Sequence, residues 1–172
     1  MGYTTDFEGE FELDKTLKPE HKKYLELFSH TRRMKRNPQK VEDFNDIPRE
    51  AVGLPIGVDG EYFVSGKDDG FIGFRQTKAE SVIDYNSPPA NQPGLWCQWI
   101  PSNDGKSIEW DGNEKFYEYV EWLEYIIKHF LKPWGYVLNG EVKWFGEDRE
   151  DVGLIIVKNN MVSTKSGTIT YQ

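Results

Sequence analysis

Six of the nine prolines fall between residues 37 and 94, at Pro38, Pro48, Pro55, Pro88, Pro89 and Pro93, and this clustering limits the fold more than any other feature of the chain. Proline fixes φ and removes a backbone donor, so long helices and central strands must lie outside that stretch. Short apolar islands at 51–56, 62–64, 71–74 and 82–83 interrupt it, each long enough only for a short strand or a packed loop. A connection of this length is expected to be functional or disordered. Its aromatic content favours a loop packed onto the domain, so the site is expected here.

Regular patterns return on both sides. Residues 3–13 place Tyr3, Phe7, Phe11 and Leu13 on one side of a period-two pattern, which predicts a half-buried strand. Pro19 and Glu20 open a helical pattern over roughly 19–35, with Tyr24, Leu27, Phe28, Thr31 and Met34 on one face. Residues 95–100 and 107–111 read as strands joined through an Asp104-Gly105 turn. Asp111 and Glu114 have the spacing of a capping box, and Phe116, Val120, Leu123, Ile127 and Phe130 form an amphipathic face that Pro133 and Gly135 terminate. A meander follows: 136–138, an Asn139-Gly140 turn, 141–145, 154–158, an Asn159-Asn160 turn and 161–164. The expected fold is α+β, an antiparallel sheet with two main helices on one face. Its order is β-α-(long insertion)-ββ-α-βββ, a ferredoxin-like-related split β-α-β plan with a C-terminal meander. With 172 residues, one domain is expected, with 37–94 as a Pro/Gly-rich insertion and 165–172 as a polar tail.

The formal charge is -8, yet residues 21–40 carry seven Lys/Arg against one Glu. An acidic chain repels a phosphate backbone at long range, which disfavours nonspecific nucleic-acid binding and leaves a local basic site open. No run approaches the roughly 20 apolar residues of a membrane helix, and the opening residues lack a basic start with an apolar stretch. A single Cys97 forms no internal disulfide. These features lead us to expect a soluble cytoplasmic protein.

Arg32, Arg33, Lys35 and Arg36 are the sharpest local signal, suited to a phosphate or an acidic protein surface. The plainer account is a set of solvated cations offsetting the negative end of a helix dipole. Alternation would send Trp96 and Trp99 to opposite faces of one strand, so one of them, with Tyr85 and Gln92, is a candidate wall for an aromatic recess. The plainer account covers the second face with the insertion. Glu109, Asp111, Glu114, Glu118 and Glu121 invite an acid–base or metal reading, against which stands an ordinary solvated helix face. The acids at 147, 148, 150 and 151 lack the ligand alternation of an EF-hand, and His21, His30 and His129 are too scattered for zinc. Gly105-Lys106-Ser107 lacks the earlier glycine of a phosphate loop, and the glycines at 53, 57 and 60 lack dinucleotide-fingerprint spacing. The run 69–74 lacks the leading cation of an RNA-recognition strand.

Through Thr31-Arg32-Arg33-Met34-Lys35-Arg36, the run from Gln92 to Trp99, and the stretch from Glu109-Trp110-Asp111-Gly112 to Gly146-Glu147-Asp148, the chain resembles hypothetical proteins of bacterial and phage genomes. The resemblance runs over nearly the whole chain and implies a cytoplasmic setting and a single domain. It brings no catalytic residue with it.

The leading expectation is a noncatalytic protein that docks a protein partner or a small planar ligand. Arg32, Arg33, Lys35 and Arg36 would supply charge, and Tyr85, Gln92, Trp96 and Trp99 an apolar recess. No catalytic residue, metal site or cofactor is expected on this reading. A small enzyme using Glu109 or Asp111 as acid/base on a nucleotide or modified side chain is the alternative, and a specific nucleic-acid-binding module is the second.

Overall fold

In the computed structural model, which describes residues 2–42, 45–64 and 80–172, the first strand behaves as its alternation predicts. β1 (Thr5–Leu13) buries Thr5, Phe7 and Phe11 and exposes Asp6, Glu8, Glu10 and Glu12. Contacts divide the chain into two compact units, Met1–Leu17 with Gln98–Gln172, and Lys18–Cys97.

The first unit is a six-stranded antiparallel sheet. Besides β1 it holds β4 (Trp99–Pro101), β5 (Ser107–Trp110), β6 (Leu138–Gly146), β7 (Val152–Lys158) and β8 (Met161–Ser166), in the order β4-β5-β1-β6-β7-β8. The last three form the expected C-terminal meander. β7 turns into β8 through Asn159 and Asn160 at φ 49° and 67°, the left-handed angles that a two-residue hairpin requires. The Asn139-Gly140 turn is not formed. β6 runs straight through it against β1, with Phe11 opposite Gly140, whose φ is 141°. A Cβ there would meet Glu10 O at 3.0 Å and Phe11 Cα at 3.1 Å, so this glycine serves strand approach rather than reversal.

The aromatic core of this unit packs edge to face. Phe7 lies 5.4 Å from Trp99, 5.8 Å from Phe116 and 4.9 Å from Tyr119, and Trp99 lies 5.3 Å from Phe116. Trp99 Nε1 donates to the Tyr119 carbonyl at 2.8 Å, which places the start of the helix α4 (Tyr119–Ile126) on the sheet face of Phe7 and Trp99. α4 therefore has its N-cap at Glu118, seven residues beyond the proposed cap Asp111. Asp111 instead accepts from the Asn113 backbone N–H at 2.8 Å in a local turn, and Glu118 precedes the helix at φ 55°. The helix widens into a π-helical segment over Ile127–Leu131, is capped by Lys132, and gives way to a turn that closes at Gly135, φ 88°.

The second unit, Lys18–Cys97, holds α1 (Pro19–His30), β2 (Lys35–Arg36), α2 (Pro38–Val41), α3 (Ile47–Ala51), a 3₁₀ turn over Val58–Gly60, and β3 (Val82–Asp84), which pairs antiparallel with β2. Pro19 occupies the first turn of α1 as expected. The helix stops at His30 rather than near residue 35. Thr31 turns extended at φ -103° and ψ 127°, and its hydroxyl donates back to Leu27 O. Tertiary hydrogen bonds draw the next residues out of helix: Arg33 N–H donates to Leu95 O, Lys35 N–H to Ser87 O and Asn37 N–H to Ser81 O. Among the described residues no helix is long and apolar enough to cross a membrane.

Candidate functional site

The basic run Arg32–Arg36 lies beyond a helix end, in a segment of which only Lys35–Arg36 is strand, and its four cations have two fates. Arg33 and Arg36 are each only 2% exposed, whereas Arg32 and Lys35 are half-exposed. Arg33 Nη2 donates to the carbonyls of Glu61 and Phe63, both at 2.8 Å, and its guanidinium lies 4.3 Å from the Phe28 ring centroid. Arg36 Nη1 donates to Ser81 Oγ at 3.0 Å and lies over Phe63 at 4.9 Å. Two of the four cations expected to form a docking surface thus fasten the Pro/Gly-rich stretch to the rest of its unit. A planar guanidinium suits this work because it bonds several backbone carbonyls at once while stacking on a ring. Gln92, another candidate for the recess, joins the same fastening: it is 6% exposed and its Nε2 donates to Glu61 O at 2.7 Å.

Arg32 and Tyr85 come together at the surface. The Arg32 guanidinium lies 4.0 Å from the Tyr85 ring centroid, Nε donates to the Tyr85 carbonyl at 3.1 Å, and Nη2 reaches Asn86 Oδ1 at 3.4 Å. Lys35 sits opposite Asp84 in the β2–β3 register and 3.9 Å from Asp59. Ser87 Oγ and the Asn86 N–H hydrogen-bond Asp84 and hold its carboxyl below the usual range, with Lys35 adding a smaller attraction. Trp96 is half-buried and belongs to no strand, so the alternation argument does not apply to it. Trp99, 2% exposed, belongs to the sheet unit and is core. The sequence reading missed Asp59 and Asp84 around these cations, although Asp84-Tyr85-Asn86-Ser87 has the composition of a side-chain-stabilised turn.

Asp46 is buried at the start of α3. Its Oδ2 accepts from Arg49 Nε at 2.9 Å and from the Val64 N–H at 3.2 Å, while Arg49 Nη1 donates to Leu54 O at 2.7 Å. Burial pushes its carboxyl above the usual range, with the Val64 N–H and Arg49 pulling back. This is the same fastening logic as at Arg33, using an anion for backbone donors.

Of the acidic set, Glu109 is on β5, Asp111 and Glu114 precede α4, Glu118 is its N-cap and Glu121 alone lies within the helix. Among the described residues no three His, Cys, Asp or Glu side chains are grouped to hold a metal ion. The segment 69–74 lies outside the described residues.

Two cavities lie in the sheet unit, where the sequence reading placed none. One, of about 460 Å³, is lined by Lys143, Phe145, Val152, Leu154, Lys165 and Ile169 among others. The other, of about 550 Å³, is lined by Arg149, Glu150, Tyr171 and residues 167–169, with Arg149 over the Tyr171 ring at 4.6 Å. The tail thus carries Ile169 and Tyr171 to cavities, and Lys165 and Ser166 end β8. Neither Glu109 nor Asp111 lines them.

Comparison with known proteins finds no matching family model, no matching curated protein and no matching solved structure.

Proposed function

We propose that the protein is a noncatalytic binding protein that docks a partner protein through carboxylates on the partner's surface. One observation carries this reading: Arg32 is half-exposed yet already held flat against Tyr85 at 4.0 Å with two of its nitrogens bonded. Holding a long cationic side chain in one geometry costs rotamer entropy, and a guanidinium so held meets a carboxylate with less left to order. Lys35 and the half-buried Trp96 extend the same reading, whereas Arg33, Arg36, Gln92 and Trp99 support the surface from inside or belong to the sheet.

The finer architecture and setting are part of this reading. The order β4-β5-β1-β6 is the one that a split β-α-β plan generates when its two crossovers carry α1 and α4. Fold analogy alone assigns no chemistry. The buried free thiol of Cys97 supports a reducing, cytoplasmic setting.

The test compares wild type with Arg32→Glu/Lys35→Glu as bait in host lysate, with and without nuclease, after far-UV circular dichroism shows equal folding. A protein partner held by wild type and lost from the variant supports the reading. Equal retention by both baits, or no specific retention by either, refutes it. Loss of the partner on nuclease treatment would move the assignment to nucleic acid.

A further inference from the structure

We propose that the 460 Å³ cavity of the sheet unit binds a small amphiphilic anion, a carboxylate carried on an aliphatic chain. The site rests on residues other than those of the Arg32 surface, so either proposal can fail alone.

The register builds the site. Lys143 stands opposite Leu154 on the β6–β7 ladder, and Leu154 stands opposite Lys165 on the β7–β8 ladder. Directly paired residues project to the same face of a sheet, so two ammonium groups flank one leucine there. Phe145 opposite Val152 continues the apolar floor one row away. Phe145 is 38% exposed and Ile169 46% exposed, which leaves large apolar side chains wet at a concave place. The volume is within the usual range of roughly 300–1,000 Å³ for small-molecule sites.

Charge selects the sign of the occupant. The sheet unit carries seventeen Asp/Glu against nine Lys/Arg, while the other unit carries twelve of each, so the whole net charge of -8 resides in the unit that holds this cavity. Yet the charged side chains lining it are two lysines and no acid. Glu8 faces Lys143 across the β1–β6 ladder, but neither Lys143 nor Lys165 makes an ion pair among the described residues. An apolar floor between two lysines that form no ion pair, with Glu8 beside Lys143 outside the lining, suits a ligand with an apolar body and one negative end. A cationic amphiphile would have its head driven toward the lysines, and a neutral one would leave them unmatched.

The tail contributes a wall. Gly167 N–H donates to Val152 O at 2.8 Å, which brings Thr168 and Ile169 to the cavity edge.

The experiment is calorimetric titration of the full chain with dodecanoate below its micelle concentration, at low salt, beside dodecyltrimethylammonium. Saturable one-to-one binding of dodecanoate, about tenfold or more tighter than the ammonium compound, is expected. Lys143→Glu/Lys165→Glu should weaken dodecanoate about tenfold or more, and Lys143→Arg/Lys165→Arg should retain it. Leu154→Trp, which fills the cavity, should abolish binding without lowering the thermal midpoint. Absence of saturable binding overturns the proposal, as does equal affinity for the two amphiphiles or an unchanged affinity in the charge-reversed and cavity-filled variants.

Discussion

Replacing Arg33 with Met keeps the unbranched apolar stem of the side chain while removing the guanidinium with its charge and all its donors. Arg33 is 2% exposed and gives two hydrogen bonds of 2.8 Å to backbone carbonyls. Bonds to charged groups contribute about 1.5–3 kcal/mol each, so the gross loss is about 3–6 kcal/mol. Two effects reduce it. The variant no longer bears the cost of burying a guanidinium, which is several kcal/mol for a buried ion. Glu61 O also keeps its bond from Gln92 Nε2 at 2.7 Å. A net destabilisation of about 2–3 kcal/mol is expected, and at roughly 2–4 °C per kcal/mol for a chain of this length the thermal midpoint should fall by about 4–12 °C. Arg32→Met is the matched control: it removes a surface cation–π contact of about 0.5–1 kcal/mol and two hydrogen bonds of 3.1 and 3.4 Å whose acceptors water can reach and re-satisfy, so its midpoint should fall by no more than about 4 °C. Thermal melting by circular dichroism reads both. A midpoint for Arg33→Met within about 2 °C of wild type, or a larger fall for Arg32→Met, would refute the division of the basic run into fastening and surface cations.

Gly140→Ala should destabilise by about 1–3 kcal/mol, because its φ of 141° and the 3.0 Å approach of Glu10 O leave a Cβ no room; a lowered urea midpoint checks this. Asp46 has a folded-state pKa above its unfolded value, so its stabilising share is fully present below the ordinary carboxylate pKa and is lost as pH rises through the raised value. Wild type should therefore lose stability relative to Asp46→Asn as pH rises through that window, read from urea midpoints at several pH values, and a constant difference would contradict the assignment.

Much of the regular structure was legible because its signals are local. The alternation of β1, the Asn159-Asn160 turn, the Pro19 start of α1 and the Gly135 turn after the last helix are each set by one residue's backbone preference or a short period of side chains. Local signals failed where a distant partner competed for the same backbone. Asn139-Gly140 has turn chemistry, but nine paired positions between β1 and β6 outweigh it. Asp111 and Glu114 have capping spacing, but Asp111 accepts from Asn113 instead and the helix waits for Tyr119, whose carbonyl receives the buried Trp99 indole.

The candidate site shows the same boundary more sharply. Sequence alone determined that four cations fall within Arg32–Arg36 and that a proline-rich, aromatic stretch follows, since both are facts of composition. Only tertiary structure decided that Arg33 and Arg36 turn inward while Arg32 and Lys35 remain at the surface, because the inward pair meets its acceptors in remote segments, Arg33 at the buried carbonyls of Glu61 and Phe63 and Arg36 at Ser81 Oγ. Likewise, Lys143 and Lys165 are twenty-two positions apart in the chain. Strand register alone sets them on either side of Leu154. A side chain's charge is written in the sequence, but the group that answers it is chosen by a fold that brings remote backbone within hydrogen-bonding reach.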